Sequence, residues 1–263
     1  MLTTNWLLQK LKTSNEACIG SWVTLPSPEL VDVICSTSPD FVVIDTEHAP
    51  ISLETAQLMS IVCTSRQVSP VFRVPGAMSD RIVPALEIGS HAIQAPNIST
   101  AAEAKYFVQA SRYQPDGTKG LSPYTRASNY SADFAHQMTQ TANKNTLLIA
   151  QVEGKEGICN IDKILEIAGI DICFLGLYDL SNYLNVPGEL ENLKLLKVFS
   201  ELAKKINDAG LVVGSIANNQ KQLQYLKNAG VRYITYSADC HIISDAYREI
   251  FMSAKTNTTK NRG

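Results

Sequence analysis

Short apolar runs alternate along the chain with longer segments in which hydrophobic positions recur at helical spacing. Several of the runs are apolar at consecutive positions, which is typical of strands buried on both faces of a parallel sheet. The predicted strands span residues 17–22, 41–45, 71–74, 91–95, 147–152, 172–176, 211–215 and 233–236. The predicted helices span residues 27–36, 53–64, 80–88, 100–111, 162–167, 193–209, 220–229 and 239–254. The pattern therefore predicts a succession of parallel βα units.

Eight strands that alternate with helices over about 250 residues are typical of a (β/α)8 barrel in one domain. We therefore expect a single α/β barrel domain over residues 1–254, which begins with an amphipathic helix containing Trp6, Leu7 and Leu11. Residues 255–263 are polar and are predicted to form a flexible tail. An open doubly wound sheet is the alternative, but the chain has no G-x-G-x-x-G or Walker A sequence to support it.

One long segment, residues 112–130, has no sustained helical or strand periodicity. A loop of that length is uncommon in a compact domain unless it contributes to function. We therefore predict a loop that helps to form the functional site, with a variable surface excursion as the alternative.

Composition and charge exclude several classes of partner. The chain has 23 Lys and Arg residues against 25 Asp and Glu residues, a formal net charge of −2, so no basic field indicates nucleic acid binding. No apolar run approaches the roughly 20 residues that cross a bilayer, so no membrane association is expected. The six cysteines form no C-x-x-C pair and lie mostly in apolar runs, which favours free thiols and a cytoplasmic location.

Polar residues that could carry chemistry follow the predicted strands. In a (β/α)8 barrel the carboxyl ends of the strands form the active face. Four of the eight predicted strands end in or contain strongly polar residues, namely Asp45, Glu47, His48, Arg73, Gln151, Glu153 and Asp179. These side chains are therefore expected to converge although they are far apart in sequence.

Glu153 and Asp179 close consecutive predicted strands, whose ends lie about 5 Å apart in a parallel sheet. Two neighbouring carboxylates favour a bound cation, and a hard divalent ion such as Mg²⁺ or Mn²⁺ suits two carboxylates because it keeps positions for water and substrate oxygens. The alternatives are a helix N-cap for Asp179 and a surface ion pair for Glu153.

His48 and Arg73 are the other candidates. His48 follows two acidic residues and precedes Ala-Pro, so it belongs to a turn in which an imidazole could transfer protons near pH 7, although a structural histidine is the alternative. Arg73 lies within the apolar run VFRVP, where a permanent charge needs an anionic partner. That partner is either a carboxylate ligand or developing enolate, or else Asp45 or Glu47 in a buried ion pair.

Other catalytic chemistries have less support. The chain contains no H-E-x-x-H or G-x-S-x-G motif. Lys155 is the nearest candidate for a Schiff-base lysine, but it lies between Gly154 and Glu156, which favours a charged amine.

Six segments taken together resemble the HpcH/HpaI family of class II, metal-dependent pyruvate aldolases, whose namesake is 4-hydroxy-2-oxoheptanedioate aldolase. They are FVVIDTEHAP at 41–50, FRVP at 72–75, ALEIG at 85–89, RYQPDGTKG at 112–120, QVEGKEG at 151–157 and GLYDLS at 176–181. The resemblance implies a (β/α)8 barrel of the phosphoenolpyruvate/pyruvate superfamily. It also implies a homo-oligomer, a hexamer built as a trimer of dimers, in which the last helix is exchanged between protomers.

The resemblance also implies a role for each candidate residue. Glu153 and Asp179 would bind the metal, Arg73 would bind pyruvate and stabilise its enolate, and His48 would be the acid/base group. The remaining roles are substrate contacts for Gln151 and for backbone amides near Gly176 and Asp179, and supporting positions for Asp45 and Glu47. Glu87 stands where other members have an aspartate that pairs with the histidine of a neighbouring subunit.

Four further residues depart from the family pattern, namely Gln94, Asn97, Gln114 and Lys119, and we expect them to face the aldehyde half of the substrate. The implied activity is the reversible cleavage of a 4-hydroxy-2-oxo acid to pyruvate and an aldehyde, with Mg²⁺, Mn²⁺ or Co²⁺ as cofactor. Two alternatives stay open. One is another enolate-forming enzyme, such as an oxaloacetate decarboxylase or a malyl-thioester lyase, and the other is a non-catalytic barrel.

Overall fold

Eight parallel strands form a closed barrel in the computed structural model of the protein, which describes residues 4–133 and 135–260. In chain order, β1 to β8 are Cys18–Val23, Phe41–Asp45, Ser69–Arg73, Ala92–Ala95, Leu147–Val152, Ile172–Leu175, Val212–Ala217 and Tyr233–Ala238. Each strand pairs with the next, and β8 pairs with β1. The predicted (β/α)8 barrel is confirmed, and the open doubly wound sheet is excluded because its two edges would stay unpaired.

Helices α1 to α12 are Trp6–Thr13, Pro28–Cys35, Leu53–Ser65, Ser79–Glu87, Ala101–Ser111, Ala135–Asn145, Gly154–Cys159, Ile161–Leu165, Leu177–Tyr183, Leu193–Asp208, Gln220–Asn228 and Asp239–Lys260. Several begin where the sequence supplies a cap. The Ser27 side chain accepts a hydrogen bond at the start of α2, which is followed by Pro28, and Thr100 and Glu103 form a capping box on α5. Local sequence therefore determines where these helices begin.

Predicted and observed elements differ mainly in the short helices. Every predicted strand boundary lies within two residues of the observed one. The helix predicted at 162–167 corresponds to α8, and α6, α7 and α9 were not among the predicted helices. Short helices such as α9 show little periodicity and are stabilised by packing, here of Leu177 and Leu180. Helix α12 continues past residue 255, where the sequence predicts a tail, and residues 261–263 lie outside the described chain.

The barrel interior is filled by side chains from alternate strand positions, including Phe41, Val71, Ile149 and Tyr233. The rings of Phe41 and Tyr233 stack with their centroids 4.2 Å apart. Gly20 leaves the space that the Phe41 ring occupies, since a Cβ on Gly20 would lie 2.4 Å from that ring. The interior is therefore a packed core rather than a channel.

Helix α1 closes the amino-terminal end of the barrel. Leu7 and Leu11 pack with the interior cluster, and the Leu7 backbone N–H donates to Ser69 Oγ, at the start of β3, over 2.9 Å. The Asn5 side chain donates to the His91 carbonyl, just before β4, over 2.8 Å. The predicted amphipathic helix thus covers the barrel interior at its amino-terminal end. Among the helices of residues 4–133 and 135–260, none is long and apolar enough to cross a bilayer.

Candidate active site

A depression of about 450 Å³ lies at the carboxyl ends of the strands. A volume of this size is typical of a small-molecule site. Its wall contains eight of the residues predicted from sequence, together with an apolar side formed by Trp22, Phe174 and Ile216. The eight are Asp45, Glu47, His48, Arg73, Gln151, Glu153, Gly176 and Asp179.

Arg73 is held on one side of the depression by two acids and an aromatic ring. Its Nε and Nη2 donate to the two carboxylate oxygens of Asp45 over 3.0 and 2.5 Å, and its Nη1 lies 3.0 Å from Glu47 Oε2. The guanidinium carbon lies 4.5 Å from the centre of the Trp22 ring. Arg73 therefore forms the buried ion pair that the sequence analysis gave as the alternative to a substrate contact, and it forms it with both Asp45 and Glu47. The Arg73 side chain also lines the site.

The two acids beside Arg73 differ in their electrostatics. Burial by itself would raise the pKa of Asp45, but the hydrogen bonds and charge of Arg73 outweigh it and hold that pKa below its usual value. Backbone N–H groups of Glu47 and His48 add to this effect. Burial raises the pKa of Glu47, and Arg73 offsets only part of that rise. Asp45 is thus the firmly ionised partner of the pair.

Glu153 and Asp179 converge at Gly176, which follows β6. A Cβ on Gly176 would lie 2.9 Å from Glu153 Oε2 and 3.4 Å from Asp179 Oδ2, so the glycine leaves open the space between the two carboxylates. Both oxygens of Glu153 are oriented by donors, Oε2 by Gln151 Nε2 over 2.6 Å and Oε1 by the Asn97 backbone N–H over 3.2 Å. The two acids predicted to be neighbours are neighbours in the structure.

This pair of carboxylates suits a hard divalent cation. Burial and the nearby Asp179 charge raise the pKa of Glu153, against the lowering effect of the Gln151 hydrogen bond. A cation between the two groups would relieve that repulsion. The described residues contain no cluster of three or more Asp, Glu, His or Cys side chains that could hold a metal. Two carboxylates nevertheless match the ligand set of Mg²⁺, which keeps several waters and substrate oxygens.

His48 lies at the rim of the depression. Its side chain is 72% exposed, and Nε2 lies 3.9 Å from Glu47 Oε1. The backbone N–H groups of Glu47 and His48 both donate to Asp45 Oδ1, over 3.0 and 3.2 Å. Asp45 therefore shapes the turn that presents His48 as well as orienting Arg73.

Glu87 does not reach this site within one chain. It is the last residue of α4, and its Oε1 lies 3.7 Å from Lys119 Nζ. Its place beside the histidine of a neighbouring subunit stays a prediction.

Three of the four residues predicted to face the aldehyde, Gln94, Gln114 and Lys119, do not line the depression within one chain. Residues 112–130 fold beside the amino-terminal end of the barrel, where Lys119 lines a cavity of about 120 Å³ with His91 and Thr146, the residues just before β4 and β5. Gln94 is wholly buried and donates to Gln151 rather than facing the opening. Only Asn97 of the departing residues lines the depression in this chain.

Two lining residues were missed by the sequence reasoning. Trp22 lies at the carboxyl end of β1 and donates from Nε1 to Asp45 Oδ2 over 3.3 Å. Tyr178 lies two residues after Gly176, and its hydroxyl accepts a hydrogen bond from Asn218 over 2.9 Å. Their position at strand ends was the available signal, because aromatic as well as charged residues at these ends can line the site.

Known aldolases match the chain over most of its length, and two of them serve as examples. A hydroxypyruvate/pyruvate aldolase of Roseobacter denitrificans is 28% identical over 243 residues, which cover 92% of this chain and 94% of that protein. A 4-hydroxy-2-oxovalerate aldolase of Novosphingobium aromaticivorans is 32% identical over 223 residues, which cover 84% of each protein.

The structural comparison and the family model identify the same family. The crystal structure of an HpcH/HpaI aldolase/citrate lyase family protein from Burkholderia cenocepacia superposes with a TM-score of 0.89 at 27% identity, covering 96% of this chain and 100% of that one. The model of the HpcH/HpaI aldolase/citrate lyase family matches residues 18–246. The resemblance noted in the sequence is thereby confirmed, and the chain belongs to the HpcH/HpaI aldolase/citrate lyase family.

Proposed function

We propose that the protein is a divalent-metal-dependent aldolase that reversibly cleaves a 4-hydroxy-2-oxo acid to pyruvate and an aldehyde. The family and the names of the relatives support a lyase of the pyruvate aldolase type. One observation supports the more specific proposal of metal-dependent cleavage. Glu153 and Asp179 converge around the open space at Gly176, in the same depression as an Arg73 side chain held by Asp45.

Glu153 and Asp179 would hold the cation, with Mg²⁺, Mn²⁺ and Co²⁺ as candidates. When bound, it would act as a Lewis acid on the 2-oxo group and supply several kcal/mol of stabilisation. Gln151 and the Asn97 backbone N–H restrict how the Glu153 carboxylate can turn. The ligand geometry is thus prepared before substrate arrives, which lowers the cost of reorganisation.

Arg73 would stabilise the enolate oxygen that develops during cleavage. A guanidinium has five N–H groups, of which two donate to Asp45 while Nη1 forms an ion pair with Glu47, so Arg73 keeps donors for substrate. Because Asp45 and the Trp22 ring restrain the side chain, these donors need little rearrangement. One such donor is worth roughly 3 kcal/mol in a site with little water.

His48 would accept the proton of the C4 hydroxyl and later return a proton to the three-carbon product. Its exposed position at the rim allows it to reach a substrate bound in the depression. General acid–base catalysis by one residue contributes roughly 10²- to 10⁴-fold in rate.

The direct test measures pyruvate released from short 4-hydroxy-2-oxo acids, before and after removal of metal with EDTA. We expect EDTA to abolish release and added Mg²⁺, Mn²⁺ or Co²⁺ to restore it. Borohydride added with pyruvate should trap no adduct. Full activity in EDTA would contradict the metal dependence, and a trapped lysine adduct would show that the chemistry proceeds through a Schiff base instead.

Other enolate-forming reactions would use the same groups and differ only in what leaves the substrate. Product analysis with oxaloacetate and with a malyl thioester separates a decarboxylase or a thioester lyase from an aldolase. Exchange of the pyruvate methyl protons with solvent, dependent on added metal, would count against a non-catalytic barrel.

The protein is further expected to act as a homo-oligomer, a hexamer built as a trimer of dimers. In a single chain, α12 leaves Tyr247, Ile250 and Phe251 more than half exposed, and burial of such side chains between subunits would stabilise an assembly. Light scattering would test the mass. Mixing the inactive Glu87→Ala and His48→Ala proteins should restore part of the activity if the two residues meet across an interface, and no recovery would contradict a shared site.

A further inference from the structure

A directed chain of hydrogen bonds runs through the barrel interior to Glu153. The Tyr233 hydroxyl donates to Gln94 Oε1 over 3.4 Å, and Gln94 Nε2 donates to Gln151 Oε1 over 2.9 Å. Gln151 Nε2 then donates to Glu153 Oε2 over 2.6 Å. Tyr233 and Gln94 have no exposed surface, and Gln151 is 5% exposed. Water therefore has little access to these groups and cannot easily replace any of the hydrogen-bond partners.

The chemistry of the groups determines the direction of the chain. An ionised Glu153 carboxylate can only accept, so Gln151 must turn its NH₂ group toward it. This leaves Gln151 Oε1 facing Gln94, where it needs a donor, and Gln94 Nε2 supplies one. Gln94 Oε1 in turn accepts from the Tyr233 hydroxyl. Each amide therefore has one orientation that satisfies both of its neighbours, and Gln94 stabilises the orientation of Gln151 that Glu153 requires.

The opposite orientation of Gln151 would disturb the carboxylate. Turning the amide by half a rotation would place Gln151 Oε1 against Glu153 Oε2, two acceptors with no proton between them. With Gln94 in place, that turn would also set two NH₂ groups against each other. A buried side chain at position 94 without a donor would remove this second constraint and leave Gln151 Oε1 without a partner.

We propose that Gln94 is a positioning residue for the cation site, acting through Gln151 on the orientation of Glu153. The inference rests on the proposed function, because it takes Glu153 as a ligand of a divalent cation. Gln94 itself touches neither the cation site nor the depression. Partners of this kind, one step removed from a metal ligand, typically change metal affinity by roughly 10- to 100-fold when they are replaced.

The competing explanation is that Gln94 only fills space in the barrel. Ile149 provides a matched control, because it pairs with Gln94 in the register of β4 and β5 and is equally buried. Ile149→Met changes interior packing at the same level without removing a hydrogen bond, and Gln94→Met removes the amide at nearly constant length.

The test measures Mn²⁺ binding to the metal-free protein by electron paramagnetic resonance, without substrate. We expect Gln94→Met to weaken binding about 10-fold or more, and Ile149→Met to leave it within about 2-fold of wild type. Because Gln94 acts through Gln151, the double variant Gln94→Met/Gln151→Met should bind as Gln151→Met alone does. Saturating Mn²⁺ should restore most of the kcat of Gln94→Met, which a general packing defect would not allow.

Several results would overturn the inference. Unchanged Mn²⁺ binding by folded Gln94→Met, additive losses in the double variant, or an equal loss in Ile149→Met would each assign Gln94 to packing. If Gln94→Met does not fold, as judged by its melting curve, Gln94→Leu is the replacement and the same comparisons apply. Failure of the wild-type protein to bind Mn²⁺ would instead contradict the proposed metal dependence. The failure of the proposed function is thereby distinguished from the failure of the inference about Gln94.

Discussion

Asp45 and Arg73 occupy paired positions on adjacent strands, β2 and β3, and their side chains form a two-point ion pair at 3.0 and 2.5 Å. The Arg73 side chain is 9% exposed and that of Asp45 1% exposed. Fork-like pairing of this kind fixes the plane of the guanidinium as well as its place. The catalytic role proposed for Arg73 therefore depends on an acid that need not touch the substrate.

Replacing one member of this buried pair should cost stability. Asp45→Asn leaves the Arg73 charge with Glu47 alone, and breaking a buried pair typically lowers the free energy of unfolding by about 3 kcal/mol or more. Urea unfolding measures the change. Asp32→Asn is the matched control, because Asp32 forms the same two-point pair with Arg66 on the exposed surface. The control should change stability little, and equal losses at both sites would contradict the role assigned to burial.

Arg73→Lys should lower kcat far more than it changes KM. The ammonium keeps the charge but loses the planar set of donors, so stabilisation of the developing enolate is lost mainly in the transition state. We expect a loss of roughly 10²- to 10³-fold in kcat in steady-state assays of pyruvate release. Arg66→Lys, on the surface, should leave kcat unchanged. A near-native kcat for Arg73→Lys would show that the enolate is stabilised elsewhere.

Cation binding should stabilise the protein more at pH 7.5 than at pH 5. Burial and the charge of Asp179 raise the pKa of Glu153, so this carboxyl takes up a proton at a higher pH than an ordinary glutamate as the pH falls. Protonation removes one ligand charge and competes with the cation. Bound metal at about 100 times its Kd adds about 2.7 kcal/mol, seen as a higher melting temperature.

The control for this prediction is Glu153→Gln, which removes the titrating group. Its melting temperature should respond weakly to Mg²⁺ or Mn²⁺ at both pH values. An equal metal-induced rise in the variant and in the wild type would contradict the assignment of Glu153 as a ligand.

His48→Asn should slow both cleavage and the exchange of pyruvate methyl protons, by roughly 10²- to 10⁴-fold. Exchange is followed by proton NMR in D₂O, with metal at saturation. His241→Asn is the control, since His241 is another exposed histidine and pairs with Asp245 in α12, away from the depression. If exchange stays fast while cleavage slows, His48 acts on the hydroxyl proton alone.

His91 should make the fold sensitive to acid. Burial, together with the nearby Arg126 charge, lowers the pKa of His91 from 6.5 to about 4. The unfolded chain therefore binds a proton at higher pH than the folded one, and the stability present above pH 6.5 falls as the pH drops toward about 4. The shift corresponds to a loss on the order of 3 kcal/mol.

Urea unfolding across this pH range should show a shallower loss for His91→Gln than for wild type. Comparing slopes removes the shared contribution of carboxylates that titrate in the same range. His241→Gln should keep the wild-type slope, and an unchanged slope in His91→Gln would show that another group controls the acid response.

The apolar runs by themselves determined the positions and the order of the eight strands along the chain. A strand buried on both faces needs consecutive apolar residues whatever its neighbours are. The same order placed Arg73, Glu153 and Asp179 at one end, since parallel strands share a carboxyl edge. The (β/α)8 architecture and most of the site's members could therefore be predicted without coordinates.

Only the tertiary structure decided which partner each side chain has. Consecutive apolar positions do not show which residues of a strand face the interior, so the inward direction of Gln94 and its bond to Gln151 depend on closure of the barrel. The position of Lys119 at the amino-terminal end depends on how residues 112–130 pack beside His91 and Thr146. These contacts join distant parts of the chain, and local sequence patterns therefore do not predict them.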